Sequence, residues 1–210
     1  MENDDKNKIR IRNEKELASR RKCFLEICDI FEKNDIFYFI QAGTLLGAYR
    51  EKDFIKWDWD VEISLFEKDF INNYEIIKKE LIRNSFKVIH EVKSNESGKI
   101  DVIKEFDEKS TVFEIVSWSY NAKKKEFFRW KINIPEKFLI NFQKIYFLGR
   151  EFNCPSPIEL YLEHQYGDWK TPNRTSNKNI YLSKTFYKEY SLIKKIKIIL
   201  KKVLDKICKT

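Results

Sequence analysis

Apolar residues recur every three or four positions in two segments of the chain, the spacing of a helix with one buried face. The first segment follows Asn13, and Glu16 stands three residues further on, as in a capping box. We therefore predict a helix from Asn13 to about Lys33. The same spacing predicts a second helix from about Glu67 to Asn84.

Strands are predicted where apolar runs are short or alternate with polar residues. Residues 36–43 form a nearly continuous apolar run typical of a buried strand, and 43–51 favour a short helix or turn. Further strands are expected at 57–66, 86–92, 99–106, 111–120 and 127–133, followed by a hairpin around Gly149 and a helix that Ser156 caps, Pro157 opens and Gly167 ends. These elements predict an α+β fold in which helices flank a mixed β-sheet.

The stretch FIKWDWDVEISLF, residues 54–66, alternates carboxylates with apolar residues. In a strand, Asp58, Asp60 and Glu62 would share one face, where like charges raise one another's pKa. We expect a cation among them, because Mg²⁺ prefers oxygen ligands. Glu114, inside the apolar run TVFEIVSWSY, is the best candidate for a further ligand, since an unpaired buried acid is costly. The alternative is a set of solvated salt bridges with some of the 41 basic residues.

A candidate phosphate-binding segment precedes these acids. Gly43 permits a ligand to approach the backbone closely, and Thr44 is predicted to open a helix whose N–H groups face an anion. Arg50 and Lys52 follow as candidates for contacting phosphate charge. Each of these residues, taken alone, is also typical of an ordinary surface position.

Together these residues resemble the signature of LicD-type transferases, a branch of the nucleotidyltransferase fold that includes fukutin and fukutin-related protein. The similarity is densest in AGTLLGAYREKDFIKWDWDVEI, residues 42–63, and spans roughly 36–172. TVFEIVSW resembles the strand that bears the family's third carboxylate, and FNCPSPIELYLEHQYGDWKTP, residues 152–172, resembles its closing motif. Glu62 and Glu114 replace the usual aspartates, and Glu51, Asp53 and Lys56 replace the usual His, Gly and Pro.

The resemblance implies transfer of a substituted phosphate, such as phosphocholine, ribitol phosphate or glycerol phosphate. The donor would be CDP-linked, the acceptor a hydroxyl of a cell-surface glycan or lipid-linked sugar, and CMP would leave. The four catalytic carboxylates would be Asp58, Asp60, Glu62 and Glu114, and they would hold Mg²⁺ (or Mn²⁺). Glu114 or Asp58 would accept the proton of the acceptor hydroxyl. The expected substrate-binding residues are Gly43, Thr44, Arg50, Lys52, Trp59, Tyr166 and Asp168.

Alternatives stay open for several of these assignments. Trp59 would stack on a cytosine, but a packing role is also typical of such an aromatic residue. Tyr166 and Asp168 would line the donor or acceptor pocket, unless they only end a helix. For the whole chain, the other candidates are a nucleotidyltransferase moving a nucleoside monophosphate onto a small molecule or protein, and a non-catalytic scaffold at a membrane surface.

The net charge of +8 is concentrated at the end of the chain. Residues 191–210 hold seven lysines and one aspartate, whereas the other 190 residues carry 34 basic and 32 acidic groups. A nucleic-acid partner is therefore not expected. We divide the chain into a catalytic domain, 1–190, and a basic amphipathic helix, 191–210, which either contacts an anionic membrane surface or packs on the domain.

Four cysteines without a CxxC pair and only two histidines make a zinc site improbable. The cysteines are expected to be reduced thiols. The charged N-terminal segment does not resemble a signal peptide, and no apolar run approaches the roughly 20 residues of a membrane span. The expected location is the cytoplasm, with the inner face of a membrane as the alternative.

Overall fold

The structure is a computed structural model that describes residues 9–94, 98–104, 111–130 and 132–183. Its helices are α1 (Glu14–Lys33), α2 (Ala42–Leu46), α3 (Glu67–Arg83), α4 (Ile158–Tyr166) and α5 (Lys178–Tyr181). A π-helical turn, Gly47–Glu51, continues α2, and a 3-10 turn spans Glu136–Phe138.

Within the described residues, eight strands form two sheets. They are β1 (Asp60–Phe66), β2 (Lys87–Val92), β3 (Lys99–Ile103), β4 (Val112–Asn121), β5 (Glu126–Arg129), β6 (Ile132–Pro135), β7 (Phe142–Phe147) and β8 (Arg150–Pro155). The larger sheet has the order β2-β3-β4-β5-β6, and β1 pairs with β4 in parallel while the other pairs are antiparallel. β7 and β8 form a separate hairpin. The predicted α+β class with a mixed sheet and flanking helices is confirmed.

The two long helices begin, end and pack as their sequences predict. Asn13 caps α1 with the expected capping box, since its side chain accepts from the Glu16 N–H and the Glu16 carboxylate accepts from the Asn13 N–H. α3 buries its predicted apolar face. In the core, the Phe24 ring of α1 lies 5.4 Å from the Phe54 ring and 5.4 Å from the Phe152 ring. These contacts join α1 to the segment that precedes β1 and to β8.

The predicted strand at 36–43 is wrong. Only Phe39 forms a bridge, with Ser64 of β1, through two backbone hydrogen bonds of 2.9 Å. The next N–H, that of Ile40, donates to the Asn153 carbonyl instead, and α2 begins at Ala42. The run is buried because it passes between β1 and β8, so its apolar character reflects depth in the core rather than sheet pairing.

Three further boundaries differ from the sequence prediction. β1 begins at Asp60, so the predicted start at residue 57 is wrong and Asp58 precedes the strand. The predicted single strand at 127–133 is two strands, because Trp130 has a φ of 52° and the chain reverses there. Ser156 does not cap α4: Pro157 is the N-cap, and the Gln143 side chain accepts from the Ile158 N–H at 2.9 Å.

The predicted hairpin around Gly149 and the end of α4 at Gly167 are confirmed. Leu148 and Gly149 both have positive φ, as a tight turn between twisted strands requires. Within the described ranges, no helix is both long and apolar enough to cross a bilayer. The predicted helix at 191–210, and with it the proposed boundary at 190, lies outside the described residues.

Candidate carboxylate site

The site lies where the chain enters β1. Asp58 sits in a turn in which its N–H donates to the Ile55 carbonyl at 3.1 Å, and Asp60 is the first residue of the strand. The Asp58 carboxylate packs directly on Gly43 of α2, so that a Cβ added to this glycine would lie 2.3 Å from Asp58 Oδ2. Gly43 is therefore required by close packing against a carboxylate, not by an unusual φ.

Asp58 and Asp60 form a close pair with raised pKa values. Both residues are partly exposed, but their carboxyl groups lie within hydrogen-bonding reach of each other and are surrounded by protein. Burial raises the pKa of Asp58, with a smaller upward effect from the charge of Glu62. Burial also raises the pKa of Asp60 well above its usual range, and the charges of Asp58, Glu62 and Glu114 add to the effect. Two carboxylates this close together are electrostatically favoured when they share a proton or when a cation lies nearby.

Strand register places a row of polar side chains beside this pair. Glu62 of β1 is the partner of Glu114 on β4, Glu114 is the partner of Asp101 on β3, and Asp101 is the partner of His90 on β2. Cross-strand partners share a face of the sheet. The predicted grouping of Glu62 and Glu114 thus follows from the parallel β1–β4 pairing.

Two cations neutralise the acids of this row. Lys99 Nζ lies 3.0 Å from Glu114 Oε1 and 3.0 Å from Asp101 Oδ2, and all three side chains are nearly buried. Arg129 Nη2 donates to Glu62 Oε1 at 2.9 Å. Burial lowers the pKa of Lys99, but the charge of Glu114 and its hydrogen bonds outweigh this, so the net pKa shift is upward. Lys99 therefore stays charged between its two carboxylates.

Two buried arginines reach the site from the N-terminal part of the chain. Arg20 of α1 donates from Nη2 to the Asp58 carbonyl at 2.8 Å and from Nε to Thr111 Oγ1 at 3.1 Å. Burial lowers the pKa of Arg20 to about 9, while the charges of Asp58 and Asp60 oppose that shift. Arg12, whose N–H donates to the Lys56 carbonyl at 2.8 Å, is also buried, and burial lowers its pKa. Both guanidinium groups lie close enough to offset part of the Asp58–Asp60 charge.

A buried polar network fixes α2 against β1. The Tyr161 hydroxyl donates to Gln41 Oε1 at 3.0 Å, and Gln41 Nε2 donates to Ser64 Oγ at 2.9 Å. Thr44 uses its hydroxyl on both backbone groups of Glu62, accepting from the N–H and donating to the carbonyl, each at 3.0 Å. The helix begins two residues before Thr44, and this side chain holds the strand that carries Glu62.

Arg50 and Lys52 are placed by local contacts. Arg50 Nη1 donates to the Trp169 carbonyl at 2.8 Å and Nε donates to Glu51 Oε1 at 2.8 Å. The hydrogen bond to Trp169 thereby joins the family signature, residues 42–63, to the closing motif, residues 152–172. Lys52 Nζ donates to the Tyr49 carbonyl at 3.0 Å and lies over the Tyr49 ring.

The remaining predicted substrate-binding residues surround the site at different depths. Trp59 is 41% exposed and lies between the two aspartates in sequence. Tyr166 is partly buried, and its pKa is raised by burial, with smaller upward effects from Tyr161 and from the charges of Glu62 and Asp58. Asp168 is exposed, two residues beyond the end of α4.

The donor set fits one hard divalent cation. Mg²⁺ is usually bound by one or two carboxylates together with substrate phosphates, and Asp58 and Asp60 supply two such groups. In the part of the chain that the structure describes, no three His, Cys, Asp or Glu side chains converge tightly enough to hold a metal ion together. Glu62 and Glu114 therefore stand apart from the pair, each with its own cation.

Four basic residues of this site were missed by reasoning from sequence: Arg12, Arg20, Lys99 and Arg129. The alternation of Lys99 with Asp101 in one predicted strand was a usable signal, since both side chains had to share a face. The sequence signal for Arg20 was weaker: it is a charged residue on the apolar side of a predicted helix. Arg129 is 67 positions from its partner Glu62, and only strand pairing brings the two together.

A family model described as LicD/FKTN/FKRP, nucleotidyltransferase domain, matches residues 35–157, more than half of the chain. An uncharacterized protein of Rickettsia typhi is 34% identical over 65 residues, 31% of this chain and 21% of that protein. Another from Rickettsia prowazekii is 39% identical over 49 residues, 23% of this chain and 18% of that protein. The matches thus span about a fifth of the length of these relatives. The crystal structure of ANT(2")-Ia in complex with adenylyl-2"-tobramycin aligns at 11% identity with a TM-score of 0.44, over 66% of this chain and 70% of that one.

Proposed function

Because this chain belongs to the LicD family, we propose that it transfers a substituted phosphate from a CDP-linked donor to a hydroxyl of a cell-surface glycan or lipid-linked sugar. Family membership supports a transferase of the phosphotransferase or nucleotidyltransferase type. The observation that carries the proposal is the close Asp58–Asp60 pair, whose pKa values are raised mainly by burial, so that its ionised form needs added positive charge. A divalent ion with a bound diphosphate would supply that charge.

Asp58 and Asp60 are the residues that would hold Mg²⁺ or Mn²⁺. Such an ion, when bound, stabilises negative charge on phosphate oxygens and helps to orient the phosphates. Gly43 leaves room for the Asp58 carboxylate, and Thr44 fixes the backbone of β1 at Glu62. These contacts hold the ligand oxygens in place before a substrate arrives, which limits the reorganisation needed for reaction.

In the proposed reaction, the acceptor hydroxyl oxygen bonds to the phosphorus that carries the cargo, and the bond between that phosphorus and the CMP oxygen breaks. The hydroxyl proton passes to a carboxylate, for which Glu114 and Asp58 are the candidates. Lys99 holds Glu114 in place from one side. Trp59 and Tyr166 would contact the donor or the acceptor, and the Arg50 bond to Trp169 would keep the closing motif beside them.

CMP release tests this function. The purified chain is incubated with CDP-choline, CDP-ribitol or CDP-glycerol, with Mg²⁺ or with EDTA, after a thermal-shift screen of the same donors. We expect one donor to stabilise the protein and to yield CMP only in the presence of the metal. Activity that is undiminished in EDTA would contradict the metal role, and no CMP from any CDP-linked donor would contradict the donor class.

A nucleotidyltransferase activity is the second candidate, since the matching family model is itself described as a nucleotidyltransferase domain. The two reactions differ in their products, because transfer of a nucleoside monophosphate from a triphosphate releases pyrophosphate rather than CMP. Mass spectrometry of the acceptor distinguishes them. A non-catalytic scaffold would bind neither Mg²⁺ nor CDP in calorimetry.

Attachment to a membrane surface is proposed for residues 191–210 from their sequence alone. Seven lysines would favour an anionic leaflet by roughly 1 kcal/mol each near the surface. Full-length protein should co-sediment with vesicles containing phosphatidylglycerol, and replacing Lys194, Lys195, Lys201 and Lys202 by Gln should release it. Equal pelleting of both proteins would contradict the proposal.

A further inference from the structure

We infer that Lys99 and Arg129 perform in this chain the task of a second metal ion, and that Arg129 binds a phosphate of the donor. The inference rests on the proposed function and specifies how its site is divided. Two-metal phosphoryl-transfer sites place cations about 3.5–4 Å apart on a shared set of acids. Here Glu62 and Glu114 already have cations of their own, so only the Asp58–Asp60 pair remains for a divalent ion.

Lys99 neutralises the charge of Glu114, one of the two acids that a second metal ion would need. Its ammonium group is shared between Glu114 and Asp101 at 3.0 Å each, which leaves Glu114 with less affinity for an added ion. An ion that approached Glu114 would have to displace a nearly buried ammonium from two carboxylates at once. Breaking such a buried pair is strongly unfavourable.

Arg129 has unused donors as well as an ion pair. Its guanidinium lies 5.4 Å from the centre of the Trp118 ring and 5.6 Å from that of the Trp130 ring, and Nη2 donates to Glu62. The residue is only 7% exposed, and among the described residues its Nε and Nη1 have no hydrogen-bond partner. Buried N–H groups are rarely left unpaired, so a ligand acceptor beside Glu62 is indicated.

A phosphate oxygen is the acceptor that fits these donors. Guanidinium–phosphate contacts are charge-assisted and strong, and Arg129 brings a planar set of donors to the carboxylates of this site. The geometry points to a diphosphate that contacts the ion at Asp58–Asp60 on one side and Arg129 on the other. Glu62 then orients Arg129 and is not a metal ligand.

The number of bound ions tests the first part. Full-length protein is titrated calorimetrically with Mn²⁺ alone. We expect one Mn²⁺ ion to bind per chain. Asp60→Asn should abolish this binding, whereas Glu62→Gln and Glu114→Gln should change its affinity by no more than about threefold. Two ions per chain, or loss of binding in either Gln variant, would overturn the inference. The wild-type stoichiometry does not depend on how any variant folds.

Affinity for CDP in saturating Mn²⁺ tests the second part. Arg129→Lys keeps the charge and removes the planar donors, and it should weaken CDP binding at least about tenfold. Arg83→Lys, an exposed residue at the end of α3, is the matched control and should leave affinity unchanged. Equal CDP affinity in the wild type and Arg129→Lys would refute the phosphate contact. A chain that binds one Mn²⁺ and uses Arg129 but releases no CMP would contradict only the proposed function, whereas CMP release with two bound ions would contradict only this inference.

Discussion

Two pairs of carboxylates lie side by side in this protein, and they differ in how their charge is compensated. Glu62 and Glu114 have ion pairs of 2.9 and 3.0 Å with Arg129 and Lys99. Among the described residues, no side-chain cation forms an ion pair with Asp58 or Asp60, and burial raises the pKa of both. The first pair is stabilised within the fold, and the second gains most from a bound cation.

The difference shows that a row of acids on one strand need not act as one unit. Asp60 and Glu62 are two positions apart on β1, yet only Glu62 has a cross-strand acid whose own cation lies on a third strand. The neighbouring strands therefore decide which acid is available to a ligand. Four experiments test this division, from the largest expected effect to the smallest.

Asp60→Asn should reduce CMP release by about 10²–10³-fold, because it removes charge that stabilises the reacting phosphates through the bound ion. Glu62→Gln should reduce it less. The control is Asp35→Asn, an exposed position after α1 at a φ of 54° that asparagine tolerates well. Steady-state rates at saturating Mg²⁺ provide the comparison, and equal losses for Asp60→Asn and Glu62→Gln would erase the distinction between the two pairs.

Lys99→Met should lower the free energy of unfolding by about 3 kcal/mol, since it leaves two buried carboxylates without their cation. Urea titration measures the change. The double variant Lys99→Met/Glu114→Gln should regain part of the loss, because one of the stranded charges is then absent. Unchanged stability in Lys99→Met would mean that Glu114 and Asp101 do not depend on this ion pair.

Gly43→Ala should weaken Mn²⁺ binding about tenfold, roughly 1.4 kcal/mol. The added methyl group would meet Asp58 Oδ2 at 2.3 Å and push the carboxylate away from Asp60. Calorimetry in a cycle with Asp58→Asn gives the coupling, and the two effects should not add, because both act through one carboxylate. If the effects of the two substitutions on Mn²⁺ affinity were fully additive, Gly43→Ala would not act through the Asp58 carboxylate.

Without metal, Asp60→Asn should stabilise the protein at pH 7, because it removes a buried carboxylate whose charged form is unfavourable in the folded state. A raised pKa means that the folded state holds the Asp60 proton more tightly than the unfolded chain. Stability is therefore lost as pH rises from about 4 through the raised pKa, and asparagine avoids that loss. Urea titrations in EDTA should show the difference at pH 7 and not at pH 4.

Much of the fold follows from local patterns in the sequence. The α1 capping box, the buried face of α3 and the turn at Gly149 each depend on residues a few positions apart. Residues 36–43 were misassigned because a buried apolar run has the same composition whether or not it pairs in a sheet. Asp58 was assigned to β1 because the alternation of acids extends two residues beyond the hydrogen-bonded strand.

The candidate site was predictable in its acids and not in its cations. Asp58, Asp60 and Glu62 lie within one short motif, and Glu114 stands out as an acid inside an apolar run. Arg129 and Lys99 reach these acids only through the order and register of four strands, which local sequence does not encode. Arg20 depends on the packing of α1 against the turn at Asp58.

The location of a bound ion tests the division of the site most directly. Crystals grown with Mn²⁺ and CDP are measured for anomalous scattering at the manganese edge. We predict one peak, between Asp58 and Asp60, with Glu62 still bonded to Arg129 and Glu114 still bonded to Lys99. A peak between Glu62 and Glu114, with either cation displaced, would contradict it.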